Sequence, residues 1–168
     1  YCVASPTAAQ PHKTLGMLES ADGAHWRWLP PPEFDWGDAP QMYMEVGGCE
    51  RIDGRYYLIQ GARFGYMGNF GYSTFTFVAD RPAGPFRPDL EAYRLSGTSN
   101  DLAQLGLGGI GVQDLVSFGR GDGELLLTNV TVSSWEGVED IWFTPIKKAV
   151  VDGSRHLRMG YWRGNEAL

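Results

Sequence analysis

Glu45 and Glu50 stand five residues apart around Val46-Gly47-Gly48-Cys49, at the head of a strand-like run that continues to Leu58. A carboxyl in such a place can give or take a proton. Strict two-residue alternation sends the two side chains to opposite faces of a strand, unless Gly47-Gly48 holds a bulge that reverses the order. On the first geometry Glu50 is left to pair with Arg51 or Arg63. Other chemistry is hard to assemble. His12, His25 and His156 are scattered without ligand spacing, and Cys2 and Cys49 are too few for a disulfide framework and wrongly spaced for zinc. Two free thiols, no metal and no cofactor are expected. Gly106-Leu107-Gly108-Gly109-Ile110-Gly111 has the letters of a dinucleotide fingerprint, but it follows Ser99-Asn100-Asp101 instead of a strand. Arg120-Gly121-Asp122 falls in a hairpin turn, and Asn129-Val130-Thr131 is a glycosylation sequon.

The elements that position these carboxyls are strands. No useful window keeps apolar residues at helical spacing without a Gly or Pro inside it, and 23 Gly, 10 Pro and 13% aromatics favour short strands joined by turns. Arg55-Tyr56-Tyr57-Leu58-Ile59, Tyr72 to Val78, Glu124-Leu125-Leu126-Leu127 and Ile141-Trp142-Phe143 are such runs. The fold class is all-β. A net charge of -6, with both signs mixed along the chain, gives no footprint for nucleic acid or an anionic membrane. No stretch approaches the roughly 18 apolar residues of a membrane span.

Two phrases recur at a blade-like period. Ile52-Asp53-Gly54-Arg55-Tyr56-Tyr57-Leu58 matches Gly121-Asp122-Gly123-Glu124-Leu125-Leu126-Leu127, with Asp-Gly supplying the positive φ of a tight turn. Ser20-Ala21-Asp22-Gly23-Ala24-His25-Trp26 is echoed by Ala79-Asp80 to Gly84-Pro85-Phe86. Four short strands and their loops fill each unit, as in a propeller blade. The expected division is the end of one blade and a connector over 1–42, a blade over 43–95 and another over 110–162. A ring takes about four blades or more. Tyr1 and Leu168 are therefore read as cuts inside a larger propeller, whose remainder is the expected partner.

Glu45-Val46-Gly47-Gly48-Cys49-Glu50-Arg51-Ile52-Asp53-Gly54-Arg55-Tyr56-Tyr57-Leu58 resembles the third-blade phrase of five-bladed glycoside hydrolases of the arabinanase, xylosidase and fructosidase type. In that family Glu-Gly-Pro or Glu-Cys-Pro precedes a strand, an Asp-Gly turn and Tyr-Tyr-Leu; here Val46-Gly47 stands after the Glu. The resemblance implies that Glu45 is the general acid. It also implies a second carboxylate in the first blade and a third, tuning one in the second, both before Tyr1. Glycoside cleavage needs a protonated carboxyl at the leaving oxygen and an ionised one acting on the anomeric carbon or through water.

In a blade that starts with Glu45, the Asp53-Gly54 turn lies at the far end and the next strand returns. The connection Arg63 to Asn69, the segments Pro30 to Tyr43 and Arg94 to Gly109, and a turn around Thr131 to Trp135 then share Glu45's end. Trp36, Asp38, Arg63, Tyr66, Asn69 and Gln113, with Glu50, are the expected contacts for a carbohydrate substrate. The function expected is hydrolysis of a furanoside or related glycoside. The alternatives are a non-catalytic carbohydrate-binding propeller and a sialidase-like propeller. The latter is suggested by Ser20-x-Asp22 and Trp26, although the sialidase phrase carries one more residue and needs six blades.

Overall fold

A computed structural model of the chain describes residues 2–4, 14–39, 45–63, 72–97, 111–135 and 138–167. These residues form three antiparallel sheets stacked face to face, as propeller blades are, and the helical pieces among them are short 3-10 turns at Leu90–Ala92 and Arg163–Ala167. The all-β class expected from the sequence is what the chain adopts.

Sheet 1 joins β1 (Cys2–Ala4), β2 (Thr14–Glu19) and β3 (Arg27–Leu29) in that order. Sheet 2 runs β4 (Glu45–Ile52), β5 (Arg55–Arg63), β6 (Tyr72–Ala79), and then β7 (Arg87–Pro88) and β8 (Arg94–Gly97), which both pair with β6. Since β7 meets Phe77 and Val78 while β8 meets Ser73 to Phe75, the two share one edge and act as a single interrupted fourth strand. Sheet 3 repeats the plan with its break one strand earlier. There β9 (Gly111–Gly121) pairs with β10 (Glu124–Trp135); β10 pairs with both β11 (Val138–Phe143) and β12 (Lys147–Val151); and β12 pairs with β13 (Leu157–Tyr161).

The repeated phrases have physical counterparts. Asp53 and Gly54 have φ of 48° and 83°, and Asp122 and Gly123 have 51° and 76°, so both Asp-Gly pairs place two central residues in the left-handed region that suits a tight hairpin. The Ser20 phrase folds around its own side chains. Ser20 Oγ accepts from Gly23 N at 2.8 Å, Asp22 Oδ1 accepts from Ala24 N and His25 N at 2.8 Å each, and Trp26 Nε1 donates to Gly23 O at 3.1 Å. With the His25 amide and imidazole as its chief partners, the Asp22 carboxyl is held well below the usual carboxylate range. The echo at Ala79 to Phe86 is tied across to the chain following β3: Glu33 N donates to Ala83 O at 2.9 Å, and Phe86 N donates to Glu33 O at 2.8 Å.

Two apolar layers hold the stack together. Leu15 of sheet 1 packs with Leu58, Phe75, Phe77, Phe86 and Tyr93 of sheet 2, and Tyr57, Ile59 and Val78 on the other face of sheet 2 pack with Val116, Leu127 and Leu157 of sheet 3. Alternation explains the split, because Leu58 and its even-numbered neighbours on β5 face one way and Tyr57 and Ile59 the other. Fully burying side chains of this size contributes about 1.5–3 kcal/mol each before ordering costs. The second layer also carries a cross-sheet bond from Val116 N to Thr74 Oγ1 at 3.0 Å.

One detail departs from expectation. The turn placed around Thr131 to Trp135 lies inside β10, where these residues pair with β11 throughout and, as far as Ser134, with β9 too. The Asn129 sequon lies within the same strand, where the residue is half-buried. Cys49 is a free thiol.

Candidate active site

Glu45 is the first residue of β4, exposed, and paired by register with Gly61 of β5. It therefore lies at the end of sheet 2 opposite the Asp53-Gly54 turn. Between Val46 and Gly48 the register slips by one: Val46 faces Gln60 while Gly48 faces Ile59, and Gly47 is the extra residue. This is the bulge that the glycine pair allowed, and it cancels the strict alternation. Glu45 opposite Gly61 and Glu50 opposite Tyr57 both belong to the odd-numbered set of β5, so they share the face that looks toward sheet 3.

Close approach of sheet 3 explains the glycines. A Cβ on Gly47 would sit 2.1 Å from Val116 O and 2.9 Å from Ile59 Cγ1, and one on Gly48, whose φ is +126°, would sit 3.2 Å from the Phe118 ring. A side chain at Gly47 would push β9 away from β4. The bulge thus allows two strands to meet and sets which way the flanking carboxyls face.

Glu50 is half-buried and binds Arg120 of β9, Nη2 to Oε2 at 2.5 Å. Arg120 takes the place that the sequence offered to Arg51. The bulge turns Glu50 toward β9, whereas Arg51 belongs to the opposite set and lies over the Tyr56 ring at 5.9 Å. In the sequence Arg120 stands out only as part of the Arg-Gly-Asp tripeptide, and its role depends on a pairing across 70 residues.

The other expected residues are spread out. Trp36 is half-buried, stacked on Phe34 at 5.3 Å and edge-on to Phe77 at 5.4 Å, in the first apolar layer. Phe77 lies opposite Leu58, which lies opposite Cys49, so Trp36 is well along the strands from Glu45's register. Asp38 is exposed in the turn after it. Arg63 ends β5 opposite Tyr72, two positions past Glu45's partner Gly61. Gln113 pairs with Val132, in the alternate set of β9 that excludes Val116 and Phe118. Tyr66 and Asn69 lie outside the described residues, as do 40–44, 64–71 and 98–110.

One open dish among the described residues is lined by Glu19, Ser20, His25, Trp26 and Arg27. It lies on the turn between β2 and β3, whose polar groups are occupied by the turn itself, and it does not include Glu45. No three His, Cys, Asp or Glu side chains cluster as a metal site among the described residues. Chemically, the Glu45 end offers an exposed acidic residue that is itself engaged with neighbouring groups, with a neutralised Glu50–Arg120 pair deeper on the same face.

No protein-family model matches the chain, and no curated protein sequence does. Among solved structures, it is similar to a thermostable family-43 glycoside hydrolase, with a TM-score of 0.50 and 17% identity, over 92% of this chain and 49% of that one. The chain thus spans about half the length of that structure. At this identity the likeness concerns the fold.

Proposed function

We propose that this chain is part of a propeller that hydrolyses glycosides, with Glu45 as the proton donor to the leaving oxygen. The substrate is a furanoside or related sugar, such as an arabinoside or fructoside, and the second, ionised carboxylate comes from a further sheet of the same propeller. One observation carries the reading. The strand opened by Glu45 starts at the end of sheet 2 away from its hairpin, in a stack of sheets whose fold is similar to that of a glycoside hydrolase. The Glu-to-Tyr-Tyr-Leu phrase adds the acid role by resemblance. Arg63, two positions beyond Glu45's partner on β5, is close to Glu45 by register; Trp36 serves packing.

General-acid assistance contributes roughly 10²–10⁴-fold, and it matters most when the leaving group is a poor one. Glu45→Gln in the enzyme, assayed on aryl furanosides of graded leaving-group basicity, should lose that factor on basic leaving groups and little on acidic ones. Equal turnover by mutant and wild type across the series would remove the acid role from Glu45, whereas no turnover by the wild type would make the carbohydrate-binding propeller the better reading.

A further inference from the structure

His156 closes the turn between β12 and β13, and its ring is nearly sealed from solvent, with the side chain 11% exposed. Nδ1 lies 2.8 and 2.9 Å from the two carboxylate oxygens of Asp89, and Nε2 lies 3.2 Å from Glu91 Oε2. A carboxylate only accepts hydrogen bonds, and neutral imidazole has one N–H to give. With both carboxylates ionised, an imidazole hydrogen-bonded to them through both nitrogens carries two protons. Asp89 and Glu91 belong to sheet 2, in the connection between β7 and β8, and His156 belongs to sheet 3.

We infer that His156 is a proton-dependent clamp: as imidazolium it fastens the β12–β13 hairpin to the outer part of sheet 2, and loss of one proton loosens that attachment. The surroundings fit a local switch. On the hairpin itself, Asp152 Oδ1 accepts from His156 N and Ser154 N at 3.0 Å each, and Asp152 Oδ2 accepts from Arg158 Nε at 2.7 Å. From β5, the Tyr57 hydroxyl donates to Arg155 O at 3.0 Å, and Arg55 Nη1 reaches the same oxygen at 3.5 Å. Arg55, Arg155 and Arg158 are the basic groups around the turn, and Asp89, Glu91 and Asp152 are the acidic ones. Of the two carboxylates on the ring, Asp89 is the buried one, its side chain 8% exposed, while Glu91 is 85% exposed and can turn to water. Deprotonation leaves one N–H, which stays with Asp89, and removes the positive charge that the buried carboxylate faces.

The Asp89 hydrogen bond raises the His156 pKa from the ordinary 6.5, outweighing burial, which lowers it. For a raised pKa, the stabilisation is complete below the unfolded value and is lost as pH rises through the folded one. The clamp is thus at full strength below 6.5, weakens as pH rises above that value, and is lost once pH has passed the folded midpoint.

Long-range ¹H–¹⁵N correlation on labelled protein reads the proton count of the ring directly. Both ring nitrogens should be protonated at pH 6.5, with the midpoint above that value. Amide exchange over residues 152–157 should then accelerate beyond its intrinsic pH dependence, by about tenfold for each unit of pKa elevation. His156→Gln and Asp89→Asn should abolish that excess. A ring that titrates at or below 6.5, or an excess that persists in His156→Gln, would overturn the proposal. Should the variants fail to fold, the wild-type titration decides alone.

Discussion

Gly47 shows how much one residue decides. The sequence offered two geometries for Glu45 and Glu50 and could not choose, because the choice depends on Val116 O, which occupies the space a Cβ at Gly47 would need. That oxygen lies in another sheet, out of reach of any local pattern. Since it is backbone, it cannot swing aside. Gly47→Ala should therefore cost about 1–3 kcal/mol by overpacking, seen as a lower urea midpoint, and should reduce turnover along with stability. An unchanged midpoint would mean that β4 and β9 are not in close contact. The Glu50–Arg120 pair calls for a smaller expectation. Arg120 is two-thirds exposed, so a double-mutant cycle with Glu50→Gln and Arg120→Gln should return about 0.2–1 kcal/mol, shrinking with added salt. Glu45 is proposed as the acid on the strength of a phrase of fourteen residues; the Arg120 partner of Glu50 could not be read in the same way, because that contact is made only by folding.

At the scale of elements, legibility followed turn chemistry. Both Asp-Gly hairpins fold where the sequence placed them, since a two-residue turn with positive φ leaves few alternatives. The stretch after Leu127 was misread for the same reason: Thr131 and Ser133-Ser134 resemble turn residues, yet pairing on both sides keeps them extended. The β12–β13 hairpin shows turn chemistry working at a sheet-to-sheet contact. Asp152 accepts from the His156 amide and from Arg158, and these bonds hold its carboxyl below the usual range. For a depressed carboxylate pKa, stabilisation is present above the ordinary 3.8 and is lost as pH falls through the folded value. Acidification below about pH 4 should accordingly speed amide exchange over 147–161 in the wild type. Asp152→Asn should show no such acid-specific loosening, and equal acid profiles would separate Asp152 from the hairpin's stability. This limb lies below about pH 4 and that of His156 above 6.5, so the two titrations can be read independently.

At the scale of the molecule, the two outward faces of the stack matter most. Leu15 points into the first apolar layer, so Leu18 and its partner Trp28 belong to the other face of sheet 1, and Trp28 is 67% exposed. On sheet 3, Leu127, Ala149 and Val151 point inward; the opposite set includes Phe143, 79% exposed, Ile141, 62% exposed, and Val150. These four make up most of the large exposed hydrophobic side chains among the described residues. Isolated apolar side chains on a surface need no explanation, but ones gathered on the flat faces of sheets at both ends of a stack do. Further sheets of the proposed propeller, packed as sheets 1 and 3 pack on sheet 2, would cover them. The chain alone should therefore bind an environment-sensitive hydrophobic dye, and Ile141→Ser combined with Phe143→Ser should remove a large part of that signal while leaving the far-ultraviolet circular dichroism unchanged. If the dye binds as well to the double variant, the outer face of sheet 3 is not the sticky surface, and the case for a covering sheet there fails, although the inner layers would still hold the three sheets together.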